Sequence, residues 1–261
     1  PCSPYLAAMA IQIRTTLDEP ETAQSFVPHR PARPPKAEGG KRFKLVSDYK
    51  PAGDQPAAIA ELARLFRVSF TGEIGFEVNV PSPMAMQLWE RLWQEGQRYG
   101  ITAYGTETMH VLRAEKGYPI IGQDTDGTVT PHDLGMSWAV SKRKPDFIGK
   151  RSFARESATA PDRKHLVGLL PVDGSTRLPE GSQIISHRVD RTLPPPPVPM
   201  LGHVTSSYRS AELDRPFALA LVKGGRDLIG SRLDVPIGDT LCEVEITTTV
   251  FVDAEGARRD G

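Results

Sequence analysis

Cysteine is nearly absent. Only Cys2 and Cys242 occur in 261 residues, at opposite ends and outside any CxxC or Cys/His cluster, so neither a disulfide framework nor a zinc site is indicated. Net charge is absent too. The 32 basic residues balance 32 acidic ones, so no global field draws the chain to nucleic acid, an anionic membrane or a charged substrate. No apolar run approaches the roughly 20 residues of a transmembrane helix, and Leu6 to Ile13 lacks the flanks of a signal peptide. We therefore expect a cytoplasmic protein with neither membrane nor nucleic-acid partners. Phosphate-binding signatures are also missing. The phosphate loop G-x-x-x-x-G-K-[ST] fails at Gly40-Lys41, where Pro35 stands five positions before the glycine, and at Gly149-Lys150, which Arg151 follows. No G-x-G-x-x-G follows a strand-like run, so no dinucleotide-binding unit is indicated.

What is present centres on Arg67 to Pro81, RVSFTGEIGFEVNVP. There Val68, Phe70, Ile74, Phe76, Val78 and Val80 alternate with Ser69, Thr71, Glu73, Glu77 and Asn79. Period-two alternation predicts a strand with one buried face. If the strand is continuous, Glu73 and Glu77 share the other face. Gly72 and Gly75 then leave room for a turn, a bulge or close ligand approach. A solvated strand face is the simpler reading of the pattern, and a ligand edge is the alternative.

Upstream, residues 1–41 read as a disordered tail, rich in proline and charge around PHRPARPPKAEGGKR. The start at Pro1 suggests a fragment or a join. Residues 42–66 (RFKLVSDYKPAGDQPAAIAEL and onward) form a turn-rich lead-in and a short helix carrying Ile59 and Leu62, with Asp54 as cap and Pro56 in the first turn. This segment resembles the N-terminus of UvrB, a DNA-repair helicase family, in which the glutamine matching Gln55 reads adenine. Without a phosphate loop that function does not carry over.

Downstream, Ser82-Pro83 opens a helix that runs to Tyr99-Gly100, with Ala85, Leu88, Trp89 and Leu92 at helical spacing. Trp89 and Trp93 read as core or interface. A second helix, Thr106 to Lys116, is expected to turn Met109, Leu112 and Val111 inward and to stop at Gly117. Arg113, near its negative end, either binds an anion or satisfies the last carbonyls. Gln123 to Thr128 is a capped turn without calcium-loop spacing. After a turn and short helix over 144–159, six β-rich runs (165–171, 182–187, 201–207, 216–222, 232–235, 241–252) predict a small antiparallel barrel or sandwich. The Pro194 to Pro199 tract must lie in an exposed connection.

From residue 67 to 255 the words FTGEIGFEVNVP, LRAEKGYPIIGQDTDGTVTPHDLGMSW, DFIGKRSF, G-x-V-T-S at Gly202 and ALALV at Ala218 stand in one order. They resemble the folate-binding aminomethyltransferase family, the T-protein of glycine cleavage and its relatives, and most of all its sarcosine oxidase alpha-subunit branch. The resemblance implies an α+β fold: a partial folate-binding domain of split βα layers (67–160), then a C-terminal β-barrel domain (161–256). It implies a tetrahydrofolate site taking up a one-carbon unit, with Glu77 as the pterin-binding carboxylate. Glu73 and Phe70 lie beside it, and Arg113 is the arginine of LR-x-E-x-G. NAD and flavin belong only to the intact complex. The implied partners are the folate small molecule and other sarcosine oxidase subunits. The earlier part of that domain has no counterpart in residues 1–66, so a fragment inactive alone is expected. A noncatalytic folate-binding or subunit-interface module and a UvrB-like repair protein are the alternatives.

Overall fold

The computed structural model describes residues 64–260. The expected disordered tail, the Asp54 to Leu62 helix and Gln55 lie outside the described residues. Described elements run in the order β1 (Arg64–Arg67), β2 (Phe76–Asn79), α1 (Ser82–Gly96), α2 (Thr106–Glu115) and α3 (Glu156–Thr159). Then come β3 (Lys164–Pro171), β4 (Gln183–Ser186), β5 (Gly202–Ser210), β6 (Arg215–Lys223), β7 (Arg232–Ile237), β8 (Thr240–Thr247) and α4 (Ala257–Asp260).

The stretch from Arg67 to Pro81 is not one strand, contrary to its alternation. β1 and β2 pair antiparallel with Leu65 opposite Val78 and Phe66 opposite Glu77. Residues 68–75 turn between them, and the Val68 amide donates to the Gly75 carbonyl at 3.1 Å. The glycines decide this. Gly72 adopts φ 85°, and a Cβ on Gly75 would stand 2.4 Å from the Val68 carbonyl oxygen. Consequently Glu73 sits in the turn and Glu77 on β2, and they share no strand face. One-sided burial fails as well: Phe66, Val68, Ile74, Phe76 and Val78 each keep between 42% and 48% of their surface exposed. Among the described residues β1 and β2 form a two-stranded sheet, too small to bury a full face by itself.

In α1 the residue at the N-cap is Pro81, without a side-chain cap, and Ser82 lies inside the helix. Pro83 still occupies the first turn, where its missing N–H costs nothing. A 3-10 turn, Gln97–Tyr99, carries the chain to Gly100 at φ 72°, the expected stop. Trp89 and Trp93 stack with centroids 6.1 Å apart but remain 53% and 39% exposed, so they are not core.

In α2 the expected inward residues are only partly buried. The buried ones are Arg113, Ala114 and Glu115. The reason is the packing of the last turn rather than the helix as a whole: the Phe251 and Val252 amides donate to the Glu115 carbonyl at 2.8 and 3.1 Å. Gly117, at φ 73°, ends the helix as expected.

The six later strands close a barrel in the order β3-β6-β5-β4-β7-β8, with β8 returning to β3. All neighbours are antiparallel. Alternation on β6 explains why its run is apolar throughout. Ala218, Ala220 and Val222 face the barrel core with Val167 and Leu169. Phe217, Leu219 and Leu221 face outward and pack with Leu166 and Ala114 of α2. The barrel thus has an inner core and an outer seam against α2. The Pro194 to Pro199 tract lies in the β4–β5 connection.

Candidate functional site

At the seam between α2 and the barrel sits a buried polar cluster. Arg113 and Asp124 are both fully removed from solvent and meet at 2.5 Å. Such a pair persists only when its remaining hydrogen-bonding groups are satisfied. Asp124 Oδ2 accepts from Arg113 Nη1 and from the Ile120 amide at 2.9 Å. Its Oδ1 accepts from Thr205 Oγ1 at 2.5 Å and Ser206 Oγ at 2.6 Å. Consecutive strand residues normally point to opposite faces. Here the β5–β6 register shifts between Val204 and Ser206, and this bulge at Thr205 lets both hydroxyls reach one carboxylate oxygen.

Arg113 is engaged at both terminal nitrogens. Nη1 also donates to the Tyr118 carbonyl at 3.1 Å, and Nη2 donates to Ser206 Oγ at 2.8 Å and Tyr208 Oη at 3.2 Å. Its Nε is buried without a hydrogen-bond partner among the described residues. Gln123 closes the cluster from outside, its amide 3.1 Å from Ser206 Oγ.

A separate cleft lies where the hairpin turn, the end of α2 and the C-terminal segment converge. Thr71, Gly72, Glu73, Glu115, Lys116 and Arg258 are among its walls. Lys116 pairs with Asp253 at 2.8 Å, and Arg258 reaches Glu212 at 2.8 Å and Glu73 at 3.6 Å. Burial pushes the Glu115 carboxyl above its ordinary value and Glu212 adds to the rise, while a hydrogen bond from Ser210 and the charge of Arg258 oppose it. Asp133 behaves oppositely. Burial would raise it, but hydrogen bonds from Arg163 and Thr130 win and hold it low.

The residues singled out from the sequence are therefore split. Glu73 lies in the cleft and is shared with Arg258. Phe70 is half-buried in the same turn. Glu77 is exposed on β2 and makes no side-chain hydrogen bond or ion pair among the described residues. Arg113 is walled inside the seam. Asp124 was legible as part of a capped turn, and Ser206 and Tyr208 as a strand end or, by the family resemblance, as residues lining the one-carbon site. Their partnership spans 82 to 95 positions of sequence, a separation that no local spacing encodes.

This arrangement, a ribbon and helices set against a closed six-stranded barrel, has a family. The GCVT N-terminal domain matches residues 54–144, and the glycine cleavage T-protein C-terminal barrel domain matches residues 164–253. The chain belongs to the glycine cleavage T-protein family. Within it, the chain is 53% identical over 199 residues to sarcosine oxidase subunit alpha of Corynebacterium sp. (strain U-96), covering 76% of this chain and 20% of that protein. It is 30% identical over 186 residues to the aminomethyltransferase of Alkaliphilus metalliredigens (strain QYMF), covering 71% and 47%. The crystal structure of glycine cleavage system aminomethyltransferase T from Bartonella henselae matches with a TM-score of 0.62 at 25% identity, over 75% of this chain and 50% of that one. The chain thus spans about a fifth of the first relative and about half of the aminomethyltransferases. The family match begins inside the segment that reads as UvrB-like, and β1 crosses the boundary expected after residue 66.

Proposed function

We propose that this chain supplies one part of the tetrahydrofolate site of a one-carbon enzyme of the sarcosine oxidase alpha type, and is inactive by itself. The observation that carries the reading is Glu77: in a chain of this family, its carboxylate is exposed and makes no side-chain hydrogen bond or ion pair among the described residues. A pterin presents adjacent N–H donors, and an ionised carboxylate is an acceptor-only, two-pronged match for them. Phe70, half-buried in the preceding turn, offers an aromatic ring to the same ligand. Glu73 contributes a second carboxylate, held by Arg258. Arg113 has no free terminal nitrogen, so it serves the site from behind, fixing the end of α2 against β5. Bound tetrahydrofolate would supply the nitrogens that accept the one-carbon unit.

On this reading the substrate is an N-methyl amine such as sarcosine. NAD and flavin sit elsewhere in the intact complex, the partners are the other sarcosine oxidase subunits, and the assembly is cytoplasmic. A ligand panel tests it. Purified chain titrated with 5-formyltetrahydrofolate, ATP and single-stranded DNA should retain the folate alone; retention of ATP or DNA instead would overturn the reading. The exposed side chains of α1, with the stacked Trp89 and Trp93 among them, favour a second role, that of a subunit-interface module.

A further inference from the structure

The hairpin that carries Glu73 and Glu77 rests on one side chain at the end of α2. Gly72 is buried, and a Cβ there would stand 2.9 Å from Lys116 Cγ and 3.0 Å from its Cδ, so the turn lies directly on the lysine stem. That stem cannot swing aside, because its far end is fixed. Lys116 Nζ donates to Asp253 Oδ2 at 2.8 Å and to the Asp253 carbonyl, with the two side chains only 8% and 12% exposed. Asp253 sits at φ 51°, a left-handed backbone that Asp tolerates when its side chain bonds locally. Its Oδ1 accepts from the Ala257 amide at 2.9 Å and its Oδ2 from the Arg258 amide at 3.2 Å. The turn so capped returns to the hairpin: the Arg258 carbonyl accepts from the Ile74 amide at 3.1 Å, and the Arg258 guanidinium lies 3.6 Å from Glu73.

These contacts differ in weight. Arg258 and Glu73 are each nearly half exposed, and an ion pair in that setting contributes little. The Lys116–Asp253 pair is almost out of solvent, and breaking such a pair leaves a charge uncompensated. We infer that Lys116 is a positioning residue: by fixing Asp253 and lying under Gly72 it sets the hairpin against α2, and so holds the carboxylates of Glu73 and Glu77 where a ligand meets them. Lys116 fills the second variable place of LR-x-E-x-G, and Ala257 and Arg258 follow residue 253, where the match to the family's barrel domain ends. The motif alone therefore does not specify this contact. The inference deepens the folate reading, and its ligand half rests on that reading while its hairpin half does not.

The test compares the whole chain with its Lys116→Met, Lys116→Arg and Asp253→Asn variants. Lys116→Met keeps an unbranched stem beneath Gly72 and removes the charge. Amide exchange over residues 72–79 is followed in the ligand-free proteins, and each is titrated with 5-formyltetrahydrofolate. Exchange over 72–79 should quicken about tenfold or more in Lys116→Met and Asp253→Asn, while β6 keeps its protection and Lys116→Arg falls between them and the parent. Folate affinity should drop in the same order, by about threefold or more for Lys116→Met, because a site only fractionally in its competent arrangement loses affinity by that fraction. Unchanged exchange over 72–79, or a loss of protection that extends to β6, would overturn the inference whether or not folate binds. A loosened hairpin that holds folate as tightly as the parent would overturn it too. A hairpin that loosens as expected in a chain that never binds folate would sink the folate reading alone and leave Lys116 as the residue that sets the hairpin.

Discussion

Arg113 donates to Asp124 at 2.5 Å across the seam between α2 and the barrel, with neither side chain reaching solvent. Removing one partner strands a buried charge. Asp124→Ala should therefore cost about 3–5 kcal/mol in urea unfolding, whereas Arg113→Met combined with Asp124→Leu should recover much of the loss. A single-variant loss below about 1 kcal/mol would mean that the pair behaves as a solvated one.

Gly117 combines a left-handed backbone with a crowded surround. At φ 73°, a Cβ there would lie 2.5 Å from the Thr249 carbonyl oxygen. Gly122, at φ 95°, has nothing within 4 Å. Gly117→Ala should cost more than the roughly 1–3 kcal/mol of conformational strain alone, and Gly122→Ala only that strain. Thermal melts of both variants decide it, and equal losses would contradict the placement of α2 against the C-terminal segment.

Barrel membership was the most legible part of the fold. Each expected β-rich run holds a strand, the last ending at Thr247 rather than at 252, because turn residues separate them and two-period alternation survives closure. The hairpin was misread because alternation continues through Ser69 to Gly75 by coincidence, while Gly72 and Gly75 impose the turn. Trp89 and Trp93 show a different limit: amphipathic spacing reveals that a helix has an apolar side but not what covers it. The Arg113 cluster depended on a bulge at Thr205 and on contacts between distant segments, neither of which leaves a periodic signature.

Glu115 should make stability depend on pH. A carboxyl whose folded pKa stands above its unfolded value keeps its proton longer in the native state. Its contribution to stability is therefore lost as pH rises from the ordinary value of 4.5 through the folded one. Glu115→Gln should remove that decline in urea midpoints measured between about pH 4 and about pH 8, and leave the acid-side loss set by Asp133. An unchanged decline would place its origin elsewhere.

Cys242 should be inert in the folded chain. Burial, aided by the Asp173 charge, pushes its thiol up to about 11, and the thiolate is the reactive form. In Cys2→Ser protein, a thiol reagent at neutral pH should label Cys242 slowly until denaturant is added. Rapid native labelling would contradict the raised thiol of this half-buried side chain.

The central claim is that Glu77 holds the pterin, and calorimetric titration of 5-formyltetrahydrofolate into the chain and its Glu77→Gln variant tests it most directly. Hydrogen bonds to a charged group contribute about 1.5–3 kcal/mol, so the account predicts that affinity falls at least about tenfold while the melting temperature stays unchanged. Equal affinity of the two proteins would contradict it.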